Sequence, residues 1–202
     1  MQGLLSKINR LGKNVKTLSV WDIDDTLFES PNTFILVKDR KGQVAQQLST
    51  SQYNSHVLKP GHQYDFSQFR DSKIFFHGAF PMGHNITKAR SVLESSNTML
   101  LALTARADFN NKALFLKKFK KYGLNMSTPL SHVARSGNLG LPTAAAKKAV
   151  LEQCLNSGKF EDVHMYDDDK RNLDAFLSLQ KTFPDIKFKS FLAKDGKLSH
   201  YG

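Results

Sequence analysis

The sequence predicts an α/β protein with a Rossmann-like core, in which a mainly parallel sheet carries helices on both faces. Two observations lead to this prediction: short apolar segments alternate with segments of helical length, and polar clusters follow the apolar segments. Crossovers of the β-α-β type place successive strands in parallel. Ligands bind beyond the carboxyl ends of such strands, so we expect the clusters to converge on one pocket.

Strands and helices alternate along the predicted core. Short apolar runs, typical of buried parallel strands, predict strands over residues 16–21, 98–104, 163–166 and 186–192. The predicted helices cover residues 86–95, 110–122, 143–156 and 172–183. Three of them end at residues that stop helices, namely Gly123, Gly158 and Pro184.

Residues 28–82 interrupt this alternation within a single predicted domain that spans residues 1–202. A hairpin is predicted here, with residues 34–37 and 44–48 as its strands. We interpret the segment as a small cap or substrate loop, although an edge hairpin with a long surface loop fits equally well. Its aromatic side chains either belong to a core or stack on bases; they are Phe66, Phe69, Phe75, Phe76 and Phe80.

The composition is that of a globular protein, because 40% of the residues are hydrophobic and 23% are charged. It excludes collagen-like, low-complexity and wholly disordered chains. The single cysteine, Cys154, cannot form an intramolecular disulfide, which favours a reducing, cytoplasmic compartment. The longest apolar run, residues 99–103, is far shorter than the ~20 residues that cross a bilayer, so no membrane association is predicted.

Two acidic trios follow predicted strands, and the first consists of Asp22, Asp24 and Asp25. Asp22 and Asp24, from the first trio, lie two residues apart and project to one side of an extended backbone. One carboxylate could then attack a substrate while the other protonates its leaving group. The second trio is Asp167 to Asp169, and carboxylates from two strand ends are the hard oxygen ligands that Mg²⁺ prefers. The alternative for either trio is a set of helix caps or solvated turn residues.

With these motifs the chain resembles the haloacid dehalogenase (HAD) superfamily of phosphohydrolases, over residues 18–192. The matching segments are residues 22–27 (DIDDTL), 101–106 (LALTAR), 143–148 (TAAAKK) and 166–169 (YDDD). The resemblance implies a Rossmann-like fold and a Mg²⁺-dependent reaction. In that reaction Asp22 forms an aspartyl-phosphate, and Asp24 acts as general acid and then as general base.

The resemblance also implies the roles of the remaining site residues. Thr104 would hydrogen-bond the phosphoryl group, and Lys147 would offset the charge on Asp22 and the phosphoryl oxygens. Because carboxylates repel a phosphoryl group, Arg106 is predicted as a further compensating cation, and Arg106 and Thr26 are the predicted substrate-binding residues. Asp167 and Asp168 would hold Mg²⁺ together with Asp22 and the backbone carbonyl of Asp24. Some features are similar to a branch that phage genomes often encode, the "Swiss Army knife" RNA-repair-like proteins, and more distantly to polynucleotide phosphatase domains.

Two choices stay open in this assignment. Lys147 and Lys148 are adjacent, and the helical period from Thr143 favours Lys147 as the residue that faces the pocket. Any member of the second trio could be the metal ligand. Asp168 is favoured, followed by Asp167, while Asp169 stands where the N-cap of the next helix is expected.

The charge of the chain favours anionic partners. With 29 Lys and Arg against 18 Asp and Glu, the net charge is +11, and setting the two acidic trios aside leaves 12 acids against 29 bases. One predicted helix is rich in lysine and forms either a phosphate-binding stripe or a solvated face; its lysines are Lys112, Lys117, Lys118, Lys120 and Lys121. The leading hypothesis is a phosphatase acting on a nucleotide or a nucleic-acid end, and the alternative is a nucleic-acid- or protein-binding module on the same scaffold.

Overall fold

The polypeptide folds around a six-stranded sheet with helices on both faces. The computed structural model describes residues 2–202, except for the side chains of residues 2 and 54. The strands are β1 (Thr17–Trp21), β2 (Phe28–Glu29), β3 (Ile35–Lys38), β4 (Val44–Leu48), β5 (Gln63–Asp65), β6 (Phe80–Pro81), β7 (Thr98–Thr104), β8 (Ser131–Arg135), β9 (Asp162–Asp167), β10 (Lys187–Lys194) and β11 (Lys197–His200).

Helices connect most of these strands. The α-helices are α1 (Gln2–Asn9), α2 (Thr50–Ser55), α3 (Ser67–Arg70), α4 (Ser72–Gly78), α5 (Gly83–Leu93), α6 (Lys112–Lys121), α7 (Thr143–Leu155) and α8 (Lys170–Leu177). Short 3₁₀ helices cover Ser136–Leu139 and Ser178–Lys181. No helix in the described part of the chain combines the length and the apolarity needed to cross a membrane.

The order of the main strands is that of a doubly wound, Rossmann-like sheet. The sheet runs β11-β10-β9-β1-β7-β8; the strands from β10 to β8 are parallel, and β11 is antiparallel to β10. Numbered along the chain, the five parallel strands lie in the order 3-2-1-4-5. The direction of winding therefore changes between β1 and β9, and the crevice beyond their carboxyl ends is the expected place for a ligand.

The predicted core elements are present, with local differences. Strands form over all four predicted segments, and the α/β class with a mainly parallel sheet is confirmed. The last predicted helix, residues 172–183, is wrong in extent, because α8 ends at Leu177 and a 3₁₀ turn follows. Strand β8 was not predicted, because its sequence, Ser-His-Val-Ala-Arg, lacks an apolar run.

Each face of the sheet has its own apolar core. On one face β1 and β7 pack with α1, α7 and α8, and on the other they pack with α4, α5 and α6. All seven residues of β7 are buried, which explains its continuous apolar sequence. Lys118 of α6 is also buried, and its Nζ donates to the carbonyl oxygens of Phe76, at 2.8 Å, and Ala79. Its predicted place on an exposed stripe is therefore wrong.

The segment after β1 forms a separate small sheet. Strand β3 pairs with β4 on one side and with β5 on the other, and none of the three pairs with a strand of the six-stranded sheet. The hairpin of β3 and β4 is therefore not an edge of the main sheet. Their own small core contains Ile35, Val37, Leu48 and Phe69. The two-stranded ribbon of β2 and β6 joins the points where the chain leaves and rejoins the main fold. We refer to residues 28–82 as the insert.

Candidate active site at the carboxyl end of the sheet

The carboxyl ends of several strands and the insert line a cavity of about 340 Å³. Asp22 and Asp24 follow β1, Arg106 follows β7, and Asp168 follows β9; all four line the cavity. Because β1 and β9 pair in parallel, with Trp21 opposite Tyr166, the residues that follow them lie level with each other. The cavity therefore occupies the switch point of the sheet, where sequence reasoning expected the polar clusters to meet.

Lys147 is the centre of a buried ionic cluster. Its Nζ lies 2.5 Å from Oδ1 of Asp22 and 2.7 Å from Oδ2 of Asp167. All three side chains are buried, and α7 brings the lysine to the two strand ends. Lys148, its neighbour, is only partly buried and does not line the cavity. The helical period thus identified the lysine that faces the site.

This cluster contains more carboxyl groups than ammonium groups. Burial alone lowers the pKa of Lys147, but Asp167 and Asp22 outweigh it, so the net shift is upward and the ammonium stays charged. Burial raises the pKa of Asp168 to about 7, with a further contribution from Asp167. Burial likewise raises the pKa of Asp22, against the opposing effect of Lys147. The carboxyl groups of Asp22, Asp167 and Asp168 have one ammonium group, that of Lys147, among them. A further cation would reduce the repulsion between their carboxylates.

Asp24 is held by a different cation. Nη2 and Nε of Arg106 lie 2.6 and 2.8 Å from the two carboxylate oxygens of Asp24, a bidentate contact. Nη1 of Arg106 donates to the carbonyl oxygen of Phe69 at 3.0 Å. The guanidinium carbon also lies 4.8 and 4.7 Å from the ring centroids of Phe69 and Phe75. Arg106 therefore connects a carboxylate of the core to two residues of the insert.

Two threonines that were predicted at the site do not line the cavity. Thr104 is buried, and its hydroxyl accepts from the backbone N–H of Arg106 at 3.1 Å. Thr26 is fully buried, and its hydroxyl has no hydrogen-bond partner among the described residues. In this structure Thr104 shapes the loop that carries Arg106, and neither side chain is open to a ligand.

The members of the second acidic trio differ in their surroundings. Both carboxylate oxygens of Asp167 are occupied, since Oδ1 accepts from Asn172 Nδ2 at 2.9 Å and from the N–H of Asp169 at 3.0 Å, while Oδ2 binds Lys147. Asp169 caps α8 through the N–H of Arg171, as predicted. Asp168 is the member of the trio with a raised pKa that also lines the cavity.

Sequence reasoning missed several residues that line the cavity. Ser136 and Gly137 follow β8, and a Cβ at Gly137 would lie 2.2 Å from the carbonyl oxygen of Ala105, so only glycine fits there. Tyr53 and Phe66 form part of the wall that the insert contributes. An isolated glycine after an unpredicted strand carries no signal, whereas the aromatic richness of the insert was visible in the sequence.

The donor set suits Mg²⁺ better than a metal that needs an all-protein site. In the part of the chain that the structure describes, no three His, Cys, Asp or Glu side chains lie close enough to hold a metal ion. Mg²⁺ commonly uses one or two carboxylates and keeps several waters. Asp22 and Asp168 meet that need, because both line the cavity and the neighbouring charge of Asp167 contributes to the raised pKa of each, an effect that a bound cation would offset. Asp167 fits less well, since its oxygens are occupied.

The fold and the site together define an α/β protein of Rossmann-like architecture with a carboxylate- and cation-lined cavity at its switch point. No protein-family model, curated protein or solved structure significantly matches this chain.

Proposed function

We propose that this protein is a Mg²⁺-dependent phosphatase that hydrolyses a phosphomonoester through an aspartyl-phosphate on Asp22. The observation that supports this most directly is the pairing of buried Asp22 with Lys147 inside a cavity that Asp24 and Asp168 also line. The carboxylate is thereby fixed in position, and a cation lies beside the place where phosphoryl charge would collect. The same residues carry the resemblance to the HAD superfamily, so this chemistry is the one we infer for the chain.

The proposed reaction has two steps. In the first, a carboxylate oxygen of Asp22 bonds to phosphorus as the ester P–O bond breaks, and Asp24 gives its proton to the leaving alcohol. In the second, water attacks the phosphorus, Asp24 takes the proton of that water, and phosphate leaves as the Asp22 carboxylate is regenerated. Lys147 stabilises the negative charge on Asp22 and the phosphoryl oxygens throughout.

Mg²⁺, held by Asp22 and Asp168, would supply charge neutralisation for the phosphoryl oxygens. Both oxygens of Asp24 accept hydrogen bonds from Arg106 in this structure. For Asp24 to exchange a proton with substrate or water, Arg106 must give up at least one of these contacts. The freed guanidinium N–H groups could then donate to the phosphate, which is the substrate-binding role predicted for Arg106.

The test is the release of phosphate from p-nitrophenyl phosphate by purified protein with Mg²⁺. Asp22→Asn keeps the size of the side chain but removes the nucleophilic charge, so we expect turnover to fall by at least about a thousandfold. Asp185→Asn, at an exposed position before β10, is the matched control and should retain full turnover. Turnover by Asp22→Asn within tenfold of the unsubstituted protein would contradict the mechanism.

A further inference from the structure

Helices α4 and α6 lie side by side and run in the same direction, away from the cavity. At their N-terminal ends, the N–H of Ser72 donates to Oδ1 of Asn110 at 3.0 Å, and the N–H of Asn111 donates to Oγ of Ser72 at 3.3 Å. At their C-terminal ends, buried Lys118 of α6 donates to carbonyl oxygens of α4 and its C-cap, Ala79. The pair therefore forms one fixed surface.

A row of exposed cations crosses this surface, beginning at the cavity. Arg70 lines the cavity and directly precedes the N-cap of α4; the row continues with Lys73, Lys117, Lys120 and Lys121. Nζ of Lys117 lies 5.9 Å from the ring centroid of Phe76, so side chains of the two helices share this surface. We call these five cations the α4–α6 row.

In the described part of the chain, the side chains of the row are not held in salt bridges. The carboxylate of Asp71, which lies between Arg70 and Lys73 in the sequence, caps α4 by accepting from the backbone N–H of Lys73. Within residues 2–202, the ion pairs shorter than 4.0 Å involve none of its five members. The helix dipole favours Lys120 and Lys121 at the C-terminal end of α6. It disfavours Lys73 in the first turn of α4, so the dipole does not account for the row as a whole.

We propose that the α4–α6 row binds the sugar-phosphate backbone of a single-stranded nucleic acid whose phosphorylated end enters the cavity. All five side chains carry a positive charge that attracts phosphate groups, and the four lysines bind phosphates as point charges. The partly buried Phe76 within the row and the exposed Phe66 on the cavity wall add ring surfaces on which bases can stack. Hydrolysis of that end rests on the proposed function, whereas the binding itself does not.

The binding test uses a fluorescent single-stranded oligonucleotide with a terminal phosphate and the full-length Asp22→Asn protein, which avoids turnover. Five phosphate contacts predict that the logarithm of the association constant falls with the logarithm of salt concentration with a slope of about −3.5. Replacing Lys117, Lys120 and Lys121 together by Gln should reduce the slope by about 2 and weaken binding at least about tenfold in low salt.

The matched control replaces three exposed lysines of β10 and β11 by Gln, namely Lys187, Lys194 and Lys197. It changes the net charge equally and should leave the affinity within twofold, provided that both triple variants keep the melting temperature of the parent. Equal weakening by the two variants would overturn the proposal, because net charge alone would then explain binding. Equally tight binding to polyglutamate or to anionic lipid vesicles would also overturn it.

Failure of this proposal and failure of the proposed function give different results. If the oligonucleotide binds through the row but unsubstituted protein releases no phosphate from it or from p-nitrophenyl phosphate, the surface stands and the phosphatase is wrong. If the unsubstituted protein hydrolyses p-nitrophenyl phosphate but its Asp22→Asn variant does not bind the oligonucleotide, the phosphatase stands and the surface is wrong.

Discussion

Two ion pairs line the same cavity but are built from different parts of the molecule. Lys147 reaches Asp22 and Asp167 from α7, and all three residues belong to the core elements. Arg106 follows the core strand β7 and contacts Asp24, but it also contacts the carbonyl oxygen and the ring of Phe69 in the insert. The first pair depends on the core alone, and the second depends on where the insert lies.

This difference separates two tasks within the site. Asp22 is held by elements that the six-stranded sheet and its helices fix, so its position does not require the insert. The contacts of Asp24 pass through Arg106, and any ligand that displaces the insert would also change them. The comparison therefore predicts that a substitution of Lys147 lowers the stability of the whole fold. A substitution of Arg106 should destabilise mainly the insert.

The largest expected effect comes from Lys147→Met. This change leaves Asp22 and Asp167 buried and facing each other without a cation, and breaking a buried pair in this way costs about 3–5 kcal/mol of unfolding free energy. Urea unfolding at pH 7 measures it. Lys148→Met is the matched control and should change the free energy by no more than about 0.5 kcal/mol. Equal stabilities for the two variants would show that the cluster contributes nothing.

A smaller and more local effect is expected from Arg106→Met. The side chain of Asp24 is 16% exposed, so water replaces part of the lost contact, and we expect a cost of about 1–3 kcal/mol. Hydrogen exchange should quicken within residues 35–70 and stay unchanged in β1 and β9. Arg135→Met, which breaks the more exposed pair with Asp108, should cost at most about 1 kcal/mol. If Arg106→Met made hydrogen exchange faster throughout the protein, it would contradict the inference that Arg106 holds the insert against the core.

The third expected effect concerns pH. The folded protein holds the proton of Asp168 up to its pKa of about 7, whereas the unfolded chain loses that proton near pH 4, so stability falls as pH rises between these values. Asp168→Asn should flatten this fall when melting temperature is measured from pH 4 to 8 with EDTA. Mg²⁺ should reduce the same fall in the unsubstituted protein. An unchanged pH profile in Asp168→Asn would contradict the assignment, and Asp185→Asn is the control.

Sequence reasoning succeeded where the signal was local. The apolar runs of β1, β7 and β9 predicted their burial, and the helical period identified Lys147 over Lys148. The position of Asp169 before α8 predicted its capping role. The buried Lys118 was misplaced, because the carbonyl oxygens that accept from it belong to a helix about 40 residues earlier in the chain.

The sequence by itself determined the α/β class, four of the six strands of the main sheet, and the principal charged residues that meet at its carboxyl end. These follow from periodicity and from the rule that parallel strands share one polar edge. Only the tertiary structure decided which carboxylates are available: Asp167 is enclosed by Lys147 and Asn172, whereas Asp168 lines the cavity. It also decided that Arg106 is shared with the insert, because such contacts join residues far apart in the chain, where sequence periodicity carries no information.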